Sequence, residues 1–241
     1  MSTHFSSEEY WQNAWQKHLE TYLASPPRCG YWLASRFPDK RLTIIEIAGG
    51  SCRDSRYLAM NGYRAIGTDF DSRTIEYLKL RFPEFSLALQ REDAFNFSFS
   101  NKSFDISFSN GFWVCFPSNQ QLHALLREQE RITSKWLITL VHNANNHSLV
   151  ETFREKAKTD PLYDIRFFSQ DELRTIINES GIRYKRLFLE KFGGPADRLY
   201  AARIKRLPNI LRNVARYIVP RIYQFQSWNV TERIACLIEL E

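Results

Sequence analysis

Ile44-Ile45-Glu46-Ile47-Ala48-Gly49-Gly50-Ser51-Cys52-Arg53-Asp54 is the stretch that decides how this chain reads. An apolar run from Leu42 to Ile47 passes through a turn of small residues into a helical segment that begins at Ser55. A strand, a tight turn and a helix in that order bring a ligand against the backbone, with the first helical amides aimed at its polar end. A second predicted strand, Ala65 to Thr68, ends in Asp69, twenty-three residues beyond Glu46. An acid in that place can accept hydrogen bonds from the two hydroxyls of a ribose. Turn and acid together read as a site for a nucleoside cofactor.

The turn also narrows the cofactor. A dinucleotide site calls for Gly-x-Gly-x-x-Gly, so that a pyrophosphate can rest on the helix. Here Glu46 stands near the strand end, and only Ala48, Gly49, Gly50 and Cys52 follow. A carboxylate beside the turn repels a pyrophosphate and suits an ammonium group. S-adenosylmethionine (SAM), which carries a sulfonium, an amine and a carboxylate but no phosphate, fits that environment.

Glu46-Ile-Ala-Gly-Gly-Ser-Cys52 resembles motif I, Glu/Asp-x-Gly-x-Gly-x-Gly, of class I SAM-dependent methyltransferases of the type 11-like group. Further pieces follow in family order: Gly67-Thr-Asp69-Phe-Asp71, Glu92-Asp93-Ala94-Phe95, Phe104-Asp-Ile-Ser-Phe-Ser-Asn-Gly-Phe-Trp113, and Arg166-Phe-Phe-Ser-Gln-Asp-Glu-Leu173 through Glu179-Ser-Gly-Ile182. The resemblance covers residues 42–204, and it departs at Ala48 and Cys52, where the family usually has glycine. It implies that Glu46, Ala48, Gly49, Gly50 and Cys52 line the methionine and ribose end of the cofactor. Asp69 would take the ribose hydroxyls, with Asp71 nearby and Phe70 against the adenine. Asp93 and the Ala94 amide would read the adenine edge, and Asn110 would reach the methionine end through its carbonyl.

Hydrophobic periodicity gives the same architecture. Helices are expected at 8–24, 30–37, 53–61, 72–81, 119–132 and 169–180, and strands at 42–47, 64–69, 85–90, 104–109 and 135–141. The alternation implies βαβ units with right-handed crossovers. Residues 183–191 and 198–205, joined by Phe192-Gly-Gly-Pro-Ala-Asp197, read as a terminal hairpin. The expected fold is α/β: a Rossmann-like, doubly wound, mostly parallel seven-stranded sheet with a C-terminal antiparallel hairpin. Residues 1–205 would form the domain, with a helical cap at 1–40, and residues 206–241 a basic amphipathic helical extension.

Methyl transfer from a sulfonium needs an in-line nucleophile in a dry pocket, and a hydroxyl acceptor also needs a base. Ligands of open α/β sheets sit beyond the carboxyl ends of the strands. His142, at the end of the fifth strand, is the candidate general base; Asn110 and, less well placed, His147 share that end. Trp113, Cys115 and Phe116 could wall the acceptor pocket or pack in the core. Tyr10, Trp11, Trp15 and Tyr22 read as a helix packed on the sheet. The resemblance adds a second role, a lid whose Trp15 touches the methionine end. Asp54 could cap its helix or contact the cofactor, Arg53 reads as a surface residue, and residues 142–168 read as an acceptor-shaping insertion.

The formal net charge of +6 over 241 residues is matched by one segment, 203–221, with six basic residues and no acidic one. Such a helix can pack on the domain or a twin subunit, lie on an anionic membrane surface, or meet nucleic acid. Nucleic acid is disfavoured, since Asn110-Gly-Phe-Trp113 lacks the Asn/Asp/Ser-Pro-Pro-aromatic motif of base-amine methyltransferases. Four scattered cysteines, a polar start and no long apolar run predict a cytoplasmic protein with reduced thiols and no metal site. The expected activity is O-methylation, at a hydroxyl or carboxyl, of a small molecule, saccharide or lipid-linked glycan. A non-catalytic methyltransferase-like scaffold and a nucleotide-dependent oxidoreductase are the rival classes.

Overall fold

A computed structural model of the chain describes residues 8–198, 216 and 218–241. Helix α1, Glu8–Ala24, carries no glycine or proline and stops at Ser25-Pro26-Pro27; α2, Arg28–Arg36, follows at once. Then come β1 (Thr43–Glu46), α3 (Arg53–Met60), β2 (Arg64–Asp69), α4 (Ser72–Arg81), β3 (Leu89–Arg91), β4 (Phe104–Asn110), α5 (Asn119–Ile132) and β5 (Thr133–His142). The chain continues through α6 (His147–Ala157), α7 (Gln170–Glu179), β6 (Tyr184–Phe192) and β7 (Arg233–Leu240).

The strands form one seven-stranded sheet in the order β3-β2-β1-β4-β5-β7-β6. β1 to β5 pair in parallel, and β7 runs antiparallel between β5 and β6. Inner strands are apolar on both faces, because helices cover both. Alternate residues therefore serve opposite cores: Ile45, Ile234, Cys236 and Ile238 meet α5 and α7, while Ile44, Ala235 and Leu237 meet α2 and α3. Strand order reverses between β1 and β4, which opens a crevice beyond their carboxyl ends.

The predicted α/β architecture and the antiparallel end of the sheet hold, with Arg233–Leu240 as the seventh strand. Gly193 and Gly194 lead into a short 3-10 turn, Pro195–Asp197, with the Gly194 amide capped by Asp197, and this turns the chain away from a hairpin. Residues 199–205 lie outside the described residues. The partner of β6 is β7, inside the segment expected to be a helical extension. Ile234-Ala-Cys-Leu-Ile238 is a short unbroken apolar run, which periodicity cannot assign to helix or strand. A domain boundary at 205/206 therefore fails, because the C-terminal segment completes the sheet.

Three smaller differences follow from local chemistry. Pro83 starts a 3-10 segment, Pro83–Ala88, which shortens the expected strand 85–90 to Leu89–Arg91. The region 142–168 contains α6, whose first turn is capped by the Asn146 side chain on the Leu149 amide. The basic helix expected at 203–221 lies outside the described residues except for 216 and 218–221; residues 218–222 are helical and run through Pro220. Arg216 stacks over the rings of Tyr31 and Tyr57, 5.1 and 5.8 Å from their centroids.

Candidate functional site

Left-handed backbone at Ala48, Gly50 and Cys52 (φ 50, 53 and 45°) folds the turn after β1. Ala48 and Cys52 thus adopt a conformation in which a Cβ costs about 1 kcal/mol or more. The turn is clasped by the neighbouring strand: the Gly49 amide donates to the Thr68 carbonyl at 2.8 Å, and the Gly50 amide to Asp69 Oδ2 at 2.7 Å. Below it, Glu46 Oε2 accepts the Ser55 amide at 2.8 Å and the Ser55 hydroxyl. Asp54 Oδ1 accepts the Gly30 amide at 2.8 Å, which ties α2 to α3.

Two of these carboxyls are protonated more readily than usual. Burial, with nearby Asp54 adding to it, pushes Glu46 up to about 8 against the opposing Ser55 bonds. Burial lifts Asp69 to about 6, although the Asp71 and Gly50 amides favour its charged form.

These groups open on a cavity of about 440 Å³ at the carboxyl ends of the parallel strands. Glu46, Ala48, Gly49 and Asp54 form one wall; Asp69 and Phe70 at the end of β2 form the next. Asp93 and Ala94 complete this side, the Asp93 carboxylate accepting the Phe95 amide at 2.9 Å. Asn110 lines the floor, its amide 3.4 Å from Asp54 Oδ2. Trp15 closes the top, and its indole lies so tightly on Gly50 that a Cβ there would collide with it.

Other expected site residues are elsewhere. Cys52 is turned under the turn into a small core with Ile75, Leu78, Phe85 and Leu89 and does not line the cavity. Asp71 caps α4 through the Arg73 and Thr74 amides. Trp113 is fully buried in the main core, whereas Cys115 and Phe116 do line the cavity. His147 begins α6 and is not part of the lining. Arg53, expected at the surface, is mostly buried: it lines the cavity, stacks 5.4 Å from the Tyr22 ring and donates to the Tyr22 carbonyl at 2.9 Å.

The opposite half of the cavity is aromatic and apolar, with Trp11, Phe112, Phe116, Phe153, Tyr163 and Ile165. His142 lies in it, its ring 4.9 Å from Phe153 and 5.5 Å from Phe167. Burial, reinforced by the positive charge of Arg233, drives the His142 pKa well below its ordinary value, so the ring is neutral. Its Nδ1 is buried and has no hydrogen-bond partner among the described residues.

Arg233 is the site residue that sequence reasoning missed. It opens β7 and donates to Glu232 Oε1 at 3.2 Å and to Asn110 Oδ1. Arg28 grips Glu232 with two bonds of 2.8 and 2.9 Å and also pairs with Asp197. Against the cost of burial, the two guanidiniums hold Glu232 far below the usual carboxylate range. The signal was available in principle, since the first residue of an antiparallel strand lies beside the last residues of its parallel neighbours, but it required knowing that 233–240 is a strand.

No helix among the described residues is long and apolar enough to cross a membrane, and no group of three or more His, Cys, Asp or Glu side chains among them is arranged to hold a metal ion.

Strand order, glycine turn and crevice define the class I, Rossmann-like methyltransferase fold. Solved structures agree over most of their length. A Haloferax volcanii putative methyltransferase, in complex with the Trm112 methyltransferase activator, is 16% identical, with 97% of each chain covered and a TM-score of 0.62. A Thermotoga maritima SAM-dependent methyltransferase, described as a possible histamine N-methyltransferase, is 15% identical over 100% of each chain with a TM-score of 0.60. Magnesium protoporphyrin IX methyltransferase from Synechocystis PCC 6803, with bound SAH, is 12% identical over 94% of this chain and 83% of its own, with a TM-score of 0.54. No curated protein matches the sequence. Residues 44–135 match the family model described as a methyltransferase domain.

Proposed function

We propose that the protein transfers a methyl group from SAM to a hydroxyl or carboxyl oxygen of a small, largely apolar acceptor. The observation that carries this reading is the single cavity that the glycine turn, Asp69 and Asp93 share with an aromatic chamber ending at His142. Asp69 takes the ribose hydroxyls and Phe70 packs on the adenine. Asp93 and the Ala94 amide read its edge, and Glu46 and Asn110 serve the amino-acid end. Trp15 covers that end and excludes water from the sulfonium, which supplies the already activated methyl group.

The chamber walls favour an apolar, planar acceptor over a saccharide, since aromatic side chains outnumber hydrogen-bonding ones on that side. Neutral His142 is a weak base; it serves better as a hydrogen-bond partner that orients the acceptor oxygen than as a strong proton sink.

Calorimetric titration with SAM and with SAH tests the cofactor half directly. One site per chain at micromolar affinity is expected. Failure of both ligands to bind would move the weight to the non-catalytic scaffold, and NADH binding in their place to the oxidoreductase.

A further inference from the structure

The register of β5 against β7 pairs His142 with Arg233. Directly opposed residues on neighbouring strands leave the same face, with Cβ atoms about 5 Å apart. Both side chains line the cavity. Gly111 clears the route for the arginine: a Cβ at this position would stand 3.2 Å from Arg233 Nη1, and φ is +83°.

The surroundings leave this guanidinium available. Glu232, its acidic neighbour, is already held by two bonds from Arg28. A guanidinium offers five N–H donors. Among the described residues Arg233 commits Nε to Glu232 and one Nη1 proton to Asn110. Across the strand, His142 Nδ1 is buried without a partner, and a buried polar atom left unpaired is costly enough to point to a missing ligand. Two phenylalanine rings pack on that imidazole and keep the spot dry.

We infer that Arg233 and His142 form a seat for a carboxylate inside the cavity, supplied by the acceptor or by the amino-acid end of the cofactor. The inference rests on the methyl-transfer reading of this cavity. A guanidinium binds a carboxylate through two parallel N–H bonds, and a neutral imidazole protonated at Nδ1 adds a third donor. The Arg233 charge, which adds to burial in keeping His142 uncharged, also favours an anion beside it. An acceptor held there would be a small aromatic or aliphatic acid, either methylated on that carboxylate or anchored by it.

The test uses the full chain and two ligand pairs. Benzoate and its neutral isostere benzamide probe the acceptor source by nuclear magnetic resonance titration, with and without SAH. SAH and 5′-methylthioadenosine, which lacks the amino-acid end, probe the cofactor source by calorimetry. If the acceptor supplies the carboxylate, benzoate binds and benzamide does not, and Arg233→Gln weakens benzoate roughly tenfold while SAH affinity is unchanged. If the cofactor supplies it, Arg233→Gln weakens SAH by a similar factor and leaves methylthioadenosine unaffected. Arg233→Lys, which keeps the charge but loses the fork, restores part of either loss and stands in should the glutamine variant fold poorly. Equal binding of all four ligands to parent and variants overturns the seat. Absence of SAH binding to the parent chain would instead strike at the cofactor reading, and benzoate titration of the free protein would still report on Arg233.

Discussion

The two halves of the cavity are built by opposite means. On the cofactor side, three short segments (46–54, 69–70 and 93–94) arrive at the ends of adjacent strands, and backbone amides clasp one another and the carboxyls between them. On the acceptor side, side chains reach in from α1, the loop after β4, α6 and its successor, and β7, and they meet mainly through ring contacts. The first half is fixed by local chain geometry, so its precision survives changes in the rest of the fold. The second depends on distant elements docking correctly, which leaves it free to vary with the substrate.

Variants can break this contrast, and the largest effect is expected on the far side. Arg28→Ala leaves the partly buried Glu232 with only its Arg233 bond and removes the Arg28 pair with Asp197, and should cost about 3 kcal/mol in urea unfolding; adding Glu232→Gln should recover part of that loss. Next comes Gly67→Ala on β2, where a Cβ would stand 2.6 Å from Ser55 Oγ and 2.8 Å from Cys52 Cβ. Overpacking there should cost about 2 kcal/mol, measured the same way. Asp69→Ala should weaken SAH by about tenfold, or ~1.4 kcal/mol, with a folded far-ultraviolet spectrum. Unchanged affinity would remove the ribose role.

The smallest effect concerns pH. Glu46 holds its proton up to about 8 in the folded chain against 4.5 in the unfolded one, so its contribution to stability falls as pH rises across that window. His142, buried and neutral, works in the opposite sense only below its ordinary 6.5. Between pH 7 and 8 the parent protein should therefore lose about 1 kcal/mol that Glu46→Gln does not, read as the shift of the urea midpoint. An identical shift in both would show that Glu46 is ionised throughout.

How far the sequence could be read follows the same division. β2 and α4 fall where expected, and the turn at 47–52 is read from adjacent residues, because turn chemistry and capping act over a few positions. Cys52 was misplaced since a left-handed residue sends its side chain under the turn, and only the backbone shows which way it points. Arg233 and the strand behind it were illegible for a different reason. Residues 234–238 are apolar on both faces, and their partners lie about ninety-five and fifty residues upstream, so no local pattern names them.

That insertion of β7 between β5 and the edge strand β6 also sets an order of assembly. While the chain is being made, β5 presents an open, apolar edge until residues 233–240 emerge, and β6 has no sheet to join. Exposed edges of this kind invite pairing with other chains, and closing a contact across such separations is slow. The strand that completes the barrier against aggregation is also the one that delivers Arg233. A nascent chain therefore closes this edge and finishes its chamber in a single step, and removing residues 233–240 would forfeit both at once.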